Sequence, residues 1–309
     1  MDAMQAAGAK WCRFDLDWWS IEWADGTFDW SRWDTYLTEL KTRDIRPILA
    51  IVSTPDWARS GGNGQTPPTD EADFGDFAAA AVARYANSTY NAYHYEIWNE
   101  PNITAFWTGS TTPASGGVAK YVAMVQDAYP KMKAANADIT VLAGAMSPAV
   151  SGGDDLDPRD YLEDCYAAGI QGYFDALSHH PYIEAAPPAN DYTWSAWSQM
   201  HVDEGVAALD GTMSKPSLRE TMIANGDAAK RIWATEANVL SDGSEGPTGY
   251  FATNARQAEI IEEMYDAWRG YSWAGVLCIY NYQGHGDWSI AGTDALTAYS
   301  NYPKYELSL

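Results

Sequence analysis

Apolar positions along this chain come in short runs, separated by longer stretches in which they recur every three or four residues. Seven runs are seven or eight residues long: WCRFDLD at 11–17, RPILAIVS at 46–53, YHYEIWN at 93–99, TVLAGAM at 140–146, DALSHHP at 175–181, RIWATEA at 231–237 and GVLCIYN at 275–281. Their length and their flanking turn residues predict strands. Helical spacing covers 31–42, 71–86, 117–135, 158–168, 194–210 with 216–224, and 253–269. Residues 1–7 read as the last turns of a helix closed by Gly8. Asp29 or Ser31 is the expected N-cap of the first full helix, and Thr253 that of the last. Strand and helix alternate, and each crossover is long enough for parallel pairing.

The connections on the two sides of the strands differ. Links into strands are brief, as around Asp44 and at 136–138, whereas links out of them (54–70, 100–116, 147–157, 182–193, 238–252 and 282–301) are long and rich in Gly, Pro and aromatic residues. A (β/α)8 barrel builds its working face from the loops after its strands. An open doubly wound sheet also places ligands there, yet no GxGxxG or Walker A sequence follows any strand. The pattern predicts an α/β fold: a (β/α)8 TIM barrel forming one domain over 1–309, without its first strand and most of its last helix. The tail Tyr302-Pro303-Lys304-Tyr305-Glu306-Leu307 reads as that helix just begun. Both gaps fall at the seam where a barrel closes and leave 11–17 and 275–281 as unpaired edges. Such edges imply marginal stability, or pairing there with something else.

Composition narrows the function. The 309 residues suit one barrel, which typically needs roughly 250. With 46% hydrophobic residues the chain is not a disordered acidic polymer. Its 42 acidic and 19 basic residues leave a formal net charge of −23, which argues against nucleic acid or an anionic membrane as partner. No apolar run is long enough to span a membrane, and the first residues lack a signal-peptide pattern. Cys12, Cys165 and Cys278 are scattered and read as free thiols. The 15 Trp and 20 Tyr residues suit a pocket that is half apolar and half wet, as a sugar ring requires.

Two strand ends carry the candidate chemistry. One is Tyr95-Glu96-Ile97-Trp98-Asn99-Glu100-Pro101-Asn102, where Pro101 stops the ladder and leaves Glu100 on the rim. The other is Thr235-Glu236-Ala237-Asn238, three strands later. A lone strand-end glutamate is usually a solvated rim residue. Two of them across a closed barrel are what glycoside hydrolysis requires: one carboxylic acid for the leaving oxygen, one carboxylate for the anomeric centre. On strand 11–17 strict alternation turns Arg13, Asp15 and Asp17 inward. A buried Arg13 needs carboxylate company, either inward-facing Glu96 as scaffolding or a catalytic carboxylate. Tyr182 can donate to Glu236. No HExxH is present, and His179 and His180, as strand neighbours, point to opposite faces, so neither metal nor cofactor is expected. Trp18, Trp19, Trp57, Trp107, Trp194, Trp197 and Trp288 lie at strand ends or in the loops that follow, and two or three should line the cleft. Asp56, Asp242, Glu245 and Asp287 read mostly as solvated charge. Asn87-Ser88-Thr89 and Asn102-Ile103-Thr104 are glycosylation sequons.

At GAKWCRFDLDW, WNEPN and the Thr-Glu strand end, the chain resembles the clan A glycoside hydrolase barrels. It is most similar to family 39 and exopolysaccharide-hydrolase relatives, with family 5 next. Ser53-Thr54-Pro55-Asp56-Trp57 lacks a histidine that many family 5 enzymes carry. The resemblance implies Glu100 as acid/base, Glu236 as nucleophile and Asn99 on the sugar 2-hydroxyl. It also implies Arg13, His180 and Tyr182 as supporting residues; among the loop tryptophans, Trp57, Trp107 and Trp288 are the candidate sugar platforms by their position. The implied activity is retaining hydrolysis of a β-linked oligo- or polysaccharide by a monomeric, extracellular protein. A non-catalytic saccharide-binding barrel and a transglycosidase are the alternatives.

Overall fold

The structure is a computed structural model that describes residues 1–186, 191–193, 195–200, 215–241, 252–283 and 288–304. Trp194, Asp242, Glu245, Asp287, the stretch 201–210 of the expected helix and the tail from Tyr305 lie outside the described residues.

Seven strands form one parallel sheet: β1 (Trp11–Asp17), β2 (Arg46–Val52), β3 (His94–Ile97), β4 (Thr140–Met146), β5 (Ala176–His179), β6 (Ile232–Ala237) and β7 (Ala274–Ile279). Their order in the sheet is their order in the chain, so the sheet curls as a barrel wall. In β2 and β4 every residue after the first is buried, as expected of parallel strands covered on both faces. Ile48, Leu142, Ala176, Trp233 and Val276 form the inner cluster. Trp11 packs edge-on against His94 and Trp233, whose rings are tilted to each other, and the three floor the barrel at the strands' N-terminal end. Burial there pushes the His94 imidazole down to about 4, helped by Arg46. The outer face packs against helices that include Glu71–Tyr85, Gly117–Ala135 and Asn254–Gly270, which supply Phe77, Val125 and Ile261 to the main core.

Local signals explain most element ends. Thr253 accepts from the Arg256 backbone at its helix start. Neither Asp29 nor Ser31 is the N-cap of the helix Ser31–Thr42: Trp30 takes that position without a side-chain cap, and Asp29 accepts from the Ser31 backbone at 3.0 Å just ahead of it. Gly8 has φ of 77°, the left-handed conformation that closes the helix Asp2–Ala6. The expected final helix was misplaced. It runs from Asp294 to Asn301 and has ended by Tyr302, which is extended (φ −71°, ψ 130°). The reason is Pro303: proline disfavours the helical conformation in the residue before it, so Tyr302-Pro303 stops a helix and does not start one.

No ladder joins β1 to β7 among the described residues, so the seam is open on both strand edges. A cavity of about 1290 Å3 runs from the C-terminal rim along this seam, bounded below by Met4, Tyr265, Trp268 and Tyr299. Among the described residues no helix is long and apolar enough to cross a membrane.

Gly275 in β7 lies against the Trp233 indole, which a methyl group would overlap. Gly275→Ala is expected to destabilise by about 1–3 kcal/mol through overpacking. Urea denaturation should show a lower midpoint with an unchanged m value.

Candidate active site

Strand alternation places Arg13 and Glu96 inside the barrel, and both are almost fully buried. Arg13 donates from Nε to Glu96 (2.5 Å), from Nη1 to Glu236 (2.5 Å) and from Nη2 to the Asn99 side chain (2.7 Å). The second Glu96 oxygen accepts from Thr235 Oγ1 at 2.7 Å. Both sequence readings of Arg13 therefore hold in the geometry: it pairs with Glu96 as scaffolding and with Glu236 at the rim.

A regular strand would turn Asn99 and Glu100 to opposite faces. The chain avoids this by left-handed turns at Trp98 (φ 70°) and Glu100 (φ 45°), conformations that cost a non-glycine residue energy and cluster at functional sites. Trp98 goes into the core, while Asn99 and Glu100 both line the cavity. The Glu100 backbone is anchored to the Ala145 carbonyl at 2.9 Å.

Glu100 and Glu236 meet through His180. Nδ1 of its imidazole lies 2.8 Å from Glu100 Oε1 and 3.7 Å from Glu236 Oε2. One carboxylate oxygen of each glutamate and the imidazole nitrogen all lie within 4.8 Å of one another. Burial works against an imidazolium here, but the charge of Glu236 and the hydrogen bond to Glu100 outweigh it and hold His180 above its ordinary value. Tyr182 donates its hydroxyl to Glu236. Burial and the Glu236 charge push that phenol well up, so it remains a donor. His179 points the other way, to the Ala196 carbonyl at 3.2 Å, and burial pushes it down to about 4. Glu100, His180 and Glu236 are the one group with metal-ligating geometry among the described residues.

The tryptophans divide sharply. Trp288 lines the cavity, its ring 4.7 Å from that of Tyr182. Trp107 does not: it is fully buried against Trp98 and Tyr121, because its loop folds back onto the helix Gly117–Ala135. Trp57 packs edge-on to Trp18 and ties its Nε1 to the Glu22 carbonyl at 2.8 Å, away from the cavity lining. Trp18 and Trp197 are also buried, and Trp19 is exposed outside the cavity. Thus one of the expected platforms, not two or three, lines the cleft among the described residues. Asp56 is exposed and pairs with Arg59. Asn102 is fully buried and donates to the Ser147 and Leu156 carbonyls, so its sequon is closed in the folded chain. Phe106, Tyr280, Asn281 and Gln283 line the cavity without having been singled out. They form no motif, and their only signal is their place in loops that follow strands.

Solved structures with this architecture include a family 39 glycoside hydrolase from Bacteroides cellulosilyticus WH2. It is 18% identical, with a TM-score of 0.69, over 97% of this chain and 59% of that one. The fold is that of the family 39 glycoside hydrolases. A monomeric β-xylosidase from Caulobacter crescentus CB15 matches at 17% identity and TM-score 0.64, over 97% of this chain and 62% of that one. Among curated proteins, a β-xylosidase from Geobacillus stearothermophilus is 27% identical over 166 residues, which is 50% of this chain and 30% of that protein. This chain thus spans about three-fifths of those two structures, and its curated match takes in less than a third of that relative. No family model matches the chain.

A raised histidine stabilises the fold fully below its unfolded value of about 6.5, and that contribution is lost as pH rises through the folded value. The melting-temperature advantage of wild type over His180→Asn should therefore be largest below about pH 6.5 and shrink on the alkaline side. A gap that widens with pH would contradict the assignment. Trp107→Ala should cost about 3–5 kcal/mol in denaturant unfolding, as for a core aromatic.

Proposed function

We propose that the chain is a retaining glycosidase acting on a β-linked saccharide. The observation that carries this reading is the close approach of Glu100 and Glu236, with one oxygen of each within 4.8 Å. Retaining enzymes hold their carboxyl groups about 5–5.5 Å apart, whereas inverting ones leave about 6.5–9.5 Å for a water. So close an approach supports the first class over the second.

In the first step a Glu236 oxygen attacks the anomeric carbon. The glycosidic bond breaks, and the Glu100 carboxylic acid gives its proton to the leaving oxygen. In the second step the Glu100 carboxylate takes a proton from water. The water oxygen bonds to the anomeric carbon, and the ester to Glu236 is released. Arg13 and Tyr182 orient Glu236, and Asn99, fixed by Arg13, faces the sugar beside it. Trp288 offers an aromatic face at the cavity wall. The names of the similar proteins make a β-xyloside the first substrate to try. Polysaccharides of this kind lie outside cells, which favours an extracellular site of action.

Proton NMR of the first product from an aryl β-glycoside should show the β-anomer before mutarotation. Glu236→Ala should abolish turnover. Glu100→Ala should spare substrates with good leaving groups and lose those with poor ones. Oligosaccharide binding by calorimetry without turnover would instead support a non-catalytic saccharide-binding barrel, and an initial α-anomer would refute retention.

A further inference from the structure

One carboxylate in the cavity takes no part in the network described above. Asp15 stands two residues beyond Arg13 on β1, on the same inward face and nearer the catalytic rim. Its side chain makes no hydrogen bond or ion pair among the described residues, although its backbone pairs with β2 and its carbonyl accepts from Trp33 Nε1. Burial holds it above the usual carboxylate range, against the pull of Arg13, while Asp17, Glu236 and Glu96 push the same way as burial. The carboxylate is exposed to the open cavity, where no side chain of the described residues hydrogen-bonds to it. A ligand with hydroxyl groups can donate to it there.

The charge around it limits which ligand this can be. All 19 Lys and Arg residues fall within the described stretches. Four of them line the cavity: Lys10, Arg13, Arg269 and Lys304. Lys10 precedes β1 and Arg269 closes the helix Asn254–Gly270. Lys304 lies beside Gly8, so all three sit at the strands' N-terminal end. Of these four only Arg13 stands at the catalytic end, beside Glu96, Glu236 and Asp15, and it donates to Glu96, Glu236 and Asn99; Arg32, which acts on Asp17, is outside the cavity lining. No other guanidinium or ammonium lines that end to receive an anionic sugar.

We propose that Asp15 selects the sugar that enters the site: its carboxylate accepts hydrogen bonds from hydroxyl groups of a neutral glycone and excludes glycuronides by charge. This rests on the glycosidase reading above and adds a substrate class to it. Asp15 lines the same cavity as Glu236 and Tyr280 and interacts electrostatically with both, so a sugar held for attack by Glu236 comes within reach of its carboxylate. A carboxylate accepts from two hydroxyls at once, which suits a vicinal diol. Asp15 touches substrate in this scheme but no reacting atom.

The test compares wild type with Asp15→Asn on 4-nitrophenyl β-D-glucoside or β-D-xyloside, whichever wild type cleaves faster, and on 4-nitrophenyl β-D-glucuronide. Wild type should prefer the neutral substrate. The variant should lose roughly 10- to 150-fold in kcat/KM on it, the loss that one charged hydrogen bond of about 1.5–3 kcal/mol corresponds to. Glucuronide turnover should not fall, so the neutral-to-uronide ratio drops by a similar factor. Because ionising Asp15 opposes folding, the variant should melt no lower than wild type at neutral pH. A purely structural Asp15 would instead lower the melting temperature and reduce both activities alike. An unchanged ratio, or a wild type that prefers the glucuronide, overturns this proposal and leaves the glycosidase reading standing. A wild type inert toward every aryl glycoside overturns that reading, and this proposal with it.

Discussion

The guanidinium of Arg13 donates to Glu96, Glu236 and Asn99 at once, and so one cation fixes how β1, β3 and β6 present their rims to one another. A buried ion pair is a poor source of stability, because desolvation offsets most of the Coulomb gain. Its value here is directional. Thr235 occupies the second oxygen of Glu96, so Glu96 cannot swing away, and the plane of the guanidinium follows. With that plane set, one Glu236 oxygen and the Asn99 amide are set too, which leaves the other Glu236 oxygen to Tyr182. Without the cation, two carboxylates would face each other in the barrel with no counter-charge, a change of the kind that costs about 3–5 kcal/mol.

The two glutamates are chemically alike, and what distinguishes them is their company. Glu236 receives a guanidinium and a phenol, both fixed donors that suit a carboxylate. Glu100 has one close polar side chain, the His180 imidazole, which can either give or take a proton. On the proposed mechanism Glu100 gives a proton in one half of the reaction and recovers it in the other, and such a neighbour suits that role.

How much of this was legible in the sequence follows from what each feature depends on. The strands were readable because parallel strands buried on both faces must be apolar along their length, and RPILAIV and TVLAGAM are. The inward face of β1 was readable because period-two alternation leaves no choice once one residue is placed. Glu100 and Glu236 were readable as strand ends. The simultaneous inward aim of Asn99 and Glu100 was not, since it depends on left-handed backbone at Trp98 and Glu100, which non-glycine residues rarely signal. Trp107 was misjudged for a related reason: a loop position says that a side chain starts at the surface, not that its loop folds back to bury it. The helix Asp294–Asn301 was lost because Pro303 was read as an opening and not as a stop.

Asp15 and Asp17 show why the acidity of the chain is more than a solubility device. On the inward face of β1 they follow Arg13 at the spacing of alternate residues, and burial holds both above the usual carboxylate range. Asp17 has a partner in Ser53, whereas Asp15 has none, so only one of the two is settled by the fold itself. Salt bridges elsewhere, such as Arg84 with Asp34 and Arg256 with Glu263, keep cations on the helices outside the barrel wall. The cavity therefore keeps more acid than base at the rim. On the proposed reading, the carboxylate that no side chain of the described residues meets is the one a ligand's hydroxyls complete.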